Sequence, residues 1–220
     1  MNIAVLVSGG GTNLQALIDA QTRGELSPGR LRLVVSSRPD AYALTRAANA
    51  GIECAVVDKS NYPDREAFTS AIMAELASCG IDLVVFAGFN YVLSPSMCEV
   101  YRNRMINVHP ALIPAFSGMG FYGLKIHQAV LDYGVKLTGA TVHFVNEDCD
   151  SGPIILQKAI PVLDSDTPES LQKRVMEQCE WVLLPQAVGL FCMGMLEVDG
   201  RWVNIHEPNT VSVLDMSILV

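Results

Sequence analysis

Three short segments of the chain carry side chains whose types and spacing suit chemistry. The first is Ser8-Gly9-Gly10-Gly11-Thr12-Asn13, directly after an apolar run. Glycines at such a place let the backbone approach a ligand closely, and the free N–H groups of a helix start favour an anion. The run is neither Gly-x-x-x-x-Gly-Lys nor Gly-x-Gly-x-x-Gly. Triphosphate and dinucleotide readings therefore weaken, and a single phosphate monoester is the natural guest. A plain tight turn is the competing reading. The second segment is Asn107-Val108-His109-Pro110. Alternate residues of an extended segment share a side, so an amide and an imidazole are presented together. A core histidine without chemistry is the bland alternative. The third is Glu147-Asp148-Cys149-Asp150-Ser151-Gly152-Pro153, with three carboxylates in one turn. Acidic turns are ordinary, but a carboxylate beside His109 would raise the imidazole pKa and orient the ring. His127, His143 and His206 show no His-x-x-His spacing, so no metal is assigned.

These segments need elements to place them. Ile3 to Val7, Leu31 to Val35, Glu53 to Val57 and Leu83 to Ala87 are short apolar runs bounded by Gly, Ser, Pro or Asp. Such runs fit strands buried on both faces of a parallel sheet. Between them, helices are predicted over Asn13 to Arg23, Ala41 to Ala50 and Arg65 to Cys79, the last capped by Asp64. Met105 to Val108 makes a fifth strand. The glycine loop and Asn107-x-His109 then both fall at carboxyl ends of strands, where open α/β sheets bind ligands. Pro110 to Gly123 is a loop, and Leu124 to Tyr133 a helix. Ala140 to Val145 and Ile154 to Ile160 read as strands joined by the turn Asn146 to Pro153, which implies an antiparallel hairpin. Thr167-Pro168-Glu169 opens a long helix. Trp181 to Leu196 reads as a buried helix, and Glu197 to Ile205, turning at Asp199-Gly200, as a small hairpin. The fold class is mixed α/β, parallel first and antiparallel later.

Composition narrows the function classes. Half of the 220 residues are hydrophobic, 17% are charged, and the net charge is −8. That combination argues against disorder and against affinity built on neutralising many phosphates; no nucleic-acid partner is expected. The start Met1-Asn2-Ile3-Ala4-Val5-Leu6-Val7-Ser8 lacks the basic flank of a signal peptide. Pro185, Gln186, Gly189 and Gly194 interrupt the most apolar long stretch, and no membrane partner is expected. Six cysteines without a Cys-x-x-Cys pair suggest reduced thiols and a cytoplasmic location. Oligomeric state is not legible.

Taken together over roughly residues 1 to 207, the segments resemble the phosphoribosylglycinamide formyltransferases of purine synthesis, which use 10-formyltetrahydrofolate as cosubstrate and no metal. Ser8 to Gln15 looks like that family's phosphate-binding start, and Phe86-Ala87-Gly88-Phe89 like a strand end bordering its folate pocket. Asn107 to Phe116 resembles its Asn-x-His-Pro signature, and Gly139 to Val145 with Asp150 to Gln157 its other half-site. The resemblance implies a Rossmann-like three-layer domain over residues 1–207. The apolar residues of the C-terminal tail, 208–220, suit docking on the domain or on a partner, the domain being favoured. It implies Asn107, His109 and Asp150 as catalytic, and Gly11, Thr12, Asn13 and Glu180 as substrate-binding. Folate would meet Arg65, Asn90, Tyr91, Val92, Leu93, Asn107, and the turn residues Asn146, Glu147, Asp148, Cys149 and Asp150.

Two departures from the family pattern stand out. Asn90-Tyr91 replaces a usual Met-Arg, and Glu180-Trp181 replaces Glu-His, with one extra residue between Arg174 and Glu180. Met176 or Glu177 is left at the neighbouring substrate position. The chemistry implied is direct attack of a primary amine on the formyl carbon. Asn107 and a protonated His109 would stabilise the oxyanion, with Asp150 keeping His109 cationic. The same trio would serve a formyltetrahydrofolate hydrolase, which usually carries an N-terminal regulatory domain. It would also serve a methionyl-tRNA formyltransferase, which would bring a further domain and a basic surface. A non-catalytic nucleotide-binding module would need the glycine loop but not the trio.

Overall fold

The structure, a computed structural model, describes residues 1–206. The expected tail 208–220 lies outside the described residues, as does its docking. The chain runs β1 (Asn2–Val7), α1 (Thr12–Thr22), β2 (Arg30–Ser36), α2 (Tyr42–Asn49), β3 (Glu53–Val56), α3 (Arg65–Ser78), β4 (Leu83–Phe86), α4 (Pro95–Val100) and β5 (Met105–His109). It continues with α5 (Leu124–Tyr133), β6 (Leu137–Phe144), β7 (Ile154–Pro161), α6 (Pro168–Val175), α7 (Trp181–Cys192), β8 (Leu196–Asp199) and β9 (Trp202–Ile205).

Seven strands form one sheet in the order β3-β2-β1-β4-β5-β6-β7. All pairs up to β4–β5 are parallel, while β5–β6 and β6–β7 are antiparallel. The period of two in the strands divides the core into two layers. Ile3, Val5, Val7, Leu83 and Val85 pack on one face with α1, α2, α5, α6 and α7. Ala4, Leu6, Val84 and Phe86 pack on the other with Phe68, Ile72 and Leu76 of α3 and Met97 of α4. On β5 the same alternation buries Ile106 and Val108 in the first of these layers. Met105, Asn107 and His109 are left on the opposite face.

Helix ends follow local chemistry. Asp64 accepts from the Ala67 N–H, and Thr167 and Ser170 close a reciprocal capping box. Strand β6 is longer than its alternation suggested, beginning at Leu137, because Thr138 to Phe144 are buried on both faces. Helix α4 was missed by the sequence reading: six residues starting at Pro95 are too short to show a period. The long C-terminal helix holds the main irregularity. Between α6 and α7, Met176–Glu180 form a π-helical turn, with right-handed helical residues Val175 and Trp181 on either side. A π turn inserts one residue into a helix without ending it. Such a turn is where a helix would take up the extra residue that the resemblance implies between Arg174 and Glu180.

Helix α5 buries Ile126, His127 and Val130. Neither ring nitrogen of His127 has a hydrogen-bond partner. Burial, then the nearby His109, pushes its pKa down to about 4. The native ring thus binds fewer protons than the unfolded one, so its stabilisation is present above pH 6.5 and is lost as pH falls toward 4. Stability lost through His127 by pH 5 should be about 2 kcal/mol. In urea unfolding at pH 8 and pH 5, His127→Leu should show a smaller difference than the parent chain. Equal differences would show that this ring does not carry the acid sensitivity.

Candidate active site

The carboxyl ends of β1, β4 and β5 open into one cavity of about 760 Å³. Its floor at one end is the glycine loop. Helix α1 starts at Gly11 (φ 71°) with no side-chain cap and no acid in its first turn, which leaves its N–H groups open to an anion. A Cβ on Gly11 would stand 2.6 Å from the Ala43 Cβ, so α2 holds the loop closely. The Ala43 N–H donates to the Gly9 carbonyl, and Arg46 Nε to the Gly10 carbonyl at 2.8 Å.

Beside this loop, the Asn13 Nδ2 donates to Glu180 Oε2 at 2.7 Å. Glu180 is only 6% exposed. Burial pushes its carboxyl up to about 6, against the pull of the Asn13 hydrogen bond. Asn13 Oδ1 is buried without a partner. One of its two amide N–H groups is committed to Glu180, and the backbone N–H groups at the start of α1 are the fixed donors open to an anion. Met176 also lines the cavity, its Sδ 4.0 Å from Thr12 Oγ1. Of the two residues left open at that position, the π turn brings Met176 into the cavity, while Glu177 is not among its lining residues.

In the middle of the cavity, three segments meet at Asp150. The turn after β6 gives Asp150 a left-handed φ of 53°, a conformation Asp tolerates better than most residues. Gly152 allows the turn, since a Cβ there would collide with the Phe144 carbonyl. The Asp150 carboxylate accepts from the Gly118 N–H at 3.0 Å, and Asn107 Nδ2 lies 3.4 Å away. His109 Nδ1 lies 3.4 Å from Oδ2, and His143 Nε2 3.7 Å from Oδ1. Burial alone would raise this carboxyl, but the His143 and His109 imidazoles and the Gly118 N–H together hold it below the usual range.

His109 corrects an expectation. Asp150 and the Phe116 carbonyl both pull its pKa up, yet burial pushes harder and the net shift is down. The ring is therefore not held cationic by Asp150. Its Nε2 lies 2.8 Å from the Phe116 carbonyl oxygen, which can only accept, so Nε2 carries the proton.

The far wall is more exposed. Asn90, Tyr91, Val92 and Leu93 line it opposite Asn146, Glu147, Asp148 and Cys149. Phe89 stacks on Phe68 of α3 with centroids 6.2 Å apart, and Tyr91 meets Phe68 edge-on. The Ser94 N–H donates to Thr69 Oγ1, and the Asn90 N–H to Ser8 Oγ. Arg65 is the expected residue that the structure does not bring in: it is exposed at the first position of α3, outside the cavity lining. Sequence reasoning missed His143 and the loop from Gly118 to Gly123 as cavity residues. For His143, strand periodicity was the available signal. Its partner across the sheet is visible only once β5 and β6 are paired. Among the described residues, no group of three His, Cys, Asp or Glu side chains is placed to hold a metal ion. The six cysteines are unpaired. No helix among these residues is long and apolar enough to cross a membrane.

Residues 1–188 match the formyl transferase family. The phosphoribosylglycinamide formyltransferase of Escherichia coli (strain K12) is 38% identical over 206 residues, spanning 93% of this chain and 94% of that protein. The chain belongs to the phosphoribosylglycinamide formyltransferase family. Another member, glycinamide ribonucleotide transformylase 1 from Symbiobacterium toebii, superposes with a TM-score of 0.88 at 43% identity, covering 94% of both chains. The trifunctional purine biosynthetic protein adenosine-3 of Bos taurus is 42% identical over 205 residues. That match spans 91% of this family member and 20% of the bovine protein. The mixed sheet, parallel and then antiparallel, is thus the fold of the family.

Glu180 of this family member yields a stability prediction. The unfolded chain releases the proton near pH 4.5 and the native one near 6, so the group destabilises the fold as pH rises between those values. The full cost above pH 6 is about 2 kcal/mol. At pH 7.5, Glu180→Gln should raise the urea unfolding free energy by about 1–2 kcal/mol, with little gain at pH 4.5. A loss of stability at pH 7.5 would show that the Asn13–Glu180 contact is net stabilising when ionised.

Proposed function

We propose that the chain transfers the formyl group of 10-formyltetrahydrofolate to the primary amine of 5-phosphoribosylglycinamide, with residues 1–207 acting as one formyltransferase domain. The observation that carries this reading is the convergence of Asn107, His109 and Asp150 midway along one cavity. At one end lies an uncapped helix start, and at the other an apolar wall facing a polar turn. A volume of about 760 Å³ is within the range of small-molecule sites. The phosphate sits against the backbone N–H groups of Thr12 and Asn13. Asn13 Oδ1 and the Glu180 carboxyl, both acceptors, suit ribose hydroxyls. The folate supplies an activated formyl group on N10. Its ring system lies between the Asn90–Leu93 wall and the turn from Asn146 to Asp150, without Arg65.

The trio then divides the work. As the amine attacks, the bond from nitrogen to the formyl carbon forms and charge gathers on the formyl oxygen. Asn107 donates an N–H to that oxygen. His109 Nε2–H exchanges the Phe116 carbonyl for the same oxygen. Nδ1 of the neutral ring and the Asp150 carboxylate face each other with room for one more proton. That pair takes the proton released by the amine and returns it to N10 as the carbon–N10 bond breaks. A neutral His109 is what this relay needs, because a ring already cationic could not accept the proton.

Asp150→Asn keeps the size of the side chain and removes the acceptor pair. Formyl transfer should fall at least about 100-fold, followed as loss of 10-formyltetrahydrofolate in the presence of phosphoribosylglycinamide. A wild-type rate would remove Asp150 from the mechanism. The parent chain should consume folate only when the ribonucleotide is present. Equal loss without it would make the chain a hydrolase.

A further inference from the structure

In the antiparallel pairing of β5 with β6, Asn107 stands directly opposite His143, so both side chains leave the same face. The Asn107 Nδ2 lies 3.2 Å from His143 Nε2 and 3.4 Å from Asp150 Oδ1. His143 is only 2% exposed. Its Nδ1 lies 2.8 Å from the Phe144 carbonyl oxygen. A carbonyl can only accept, so Nδ1 carries the proton of the neutral ring and Nε2 is left as an acceptor. Asp150 is 3.7 Å from that nitrogen, beyond hydrogen-bond length, whereas the Asn107 amide is within it. Both neighbours of the amide are then acceptors, which settles that Nδ2 faces them and Oδ1 turns away.

We infer that His143 is a positioning residue: its Nε2 accepts one Asn107 N–H and so fixes the amide with the second N–H free to serve the formyl oxygen. This rests on the role proposed above for Asn107. The second N–H meets Asp150 only at 3.4 Å, a long contact that a developing oxyanion readily displaces. Without the His143 acceptor, Asp150 becomes the amide's remaining partner and competes for the N–H that the reaction needs. The Phe144 carbonyl thus selects the His143 tautomer, and the tautomer orients Asn107.

Two variants of similar size separate positioning from packing. His143→Gln carries an acceptor near the place of Nε2. His143→Asn reproduces the donor to Phe144 and lacks the distal acceptor. With the full chain, kcat and KM for formyl transfer should be measured for both, for Asn107→Ala and for the His143→Asn/Asn107→Ala double variant. His143→Asn should lower kcat about 10- to 100-fold with KM within about threefold of the parent, whereas His143→Gln should stay within about fivefold in kcat. In the Asn107→Ala background, His143→Asn should add less than about threefold. Equal losses in the two His143 variants, or effects that multiply in the double variant, overturn the inference. If Asn107→Ala is slow while His143→Asn runs at the parent rate, only the inference falls. If Asn107→Ala itself runs at the parent rate, the donor role of Asn107 falls, and this inference with it.

Discussion

A carboxylate taken out of water must be surrounded by polar groups, and Asp150 imposes that condition on several segments at once. The Gly118 N–H comes from the loop after β5, His109 and Asn107 from β5 itself, and His143 from β6. None of these groups can move far without stranding the charge, at a cost of several kcal/mol for an unpaired buried ion. The antiparallel register meets the condition, placing Asn107 opposite His143 and His109 opposite Thr141. Thr141 in turn accepts from the Ile113 N–H and the Gln157 amide and donates to the Ala111 carbonyl. One hydroxyl thereby ties the proline-containing loop to β6 and β7. The change from parallel to antiparallel pairing at β5 is therefore what allows two neighbouring strands to present side chains to each other across the same carboxylate.

The anion end works by a different rule. A chain of net charge −8 offers no field that gathers phosphates from afar. It relies instead on the uncapped start of α1, whose donors are fixed and cost no side-chain entropy. Arg46 does not reach into the cavity; its guanidinium is spent on the Gly10 carbonyl and Gln15, which shapes the loop. Glu180 nearby, with its carboxyl raised only to about 6, is ionised at neutral pH, and the Asn13 amide meets its charge. The acidic total and the small-anion site are compatible because the donors at the start of α1 are local.

Much of this architecture is legible in the residues. Continuous Val, Ile and Leu runs reveal β1, β2 and β4 because both faces of those strands are buried, and Asn107-x-His109 reveals a shared face because strand period is two. Asp150 beside His109 rests on the acidic turn and the family likeness, and its realisation depends on a turn built with Asp150 at positive φ and Gly152. The protonation of His109 could not be read, since it is a contest between a nearby carboxylate and burial. The depth of burial follows from the loop that closes over the ring through Phe116. Arg65 was placed by likeness alone, and helix α3 presents it to solvent.

The π turn before Glu180 shows how a surplus residue in a helix need not disturb a site. An insertion in a regular helix rotates everything beyond it by about 100°, which would carry Glu180 away from Asn13. Core packing opposes that rotation: α7 buries Leu183, Leu184, Ala187 and Val188, and α6 buries Leu171 and Val175. With both ends anchored, the surplus is confined to the π turn at Met176–Glu180. The wider turn then sets Met176 and Glu180 on the same cavity wall, four residues apart in sequence. The position of Glu180 is thus governed less by its own surroundings than by the apolar residues before and after it, which hold the register of a helix that is one residue too long.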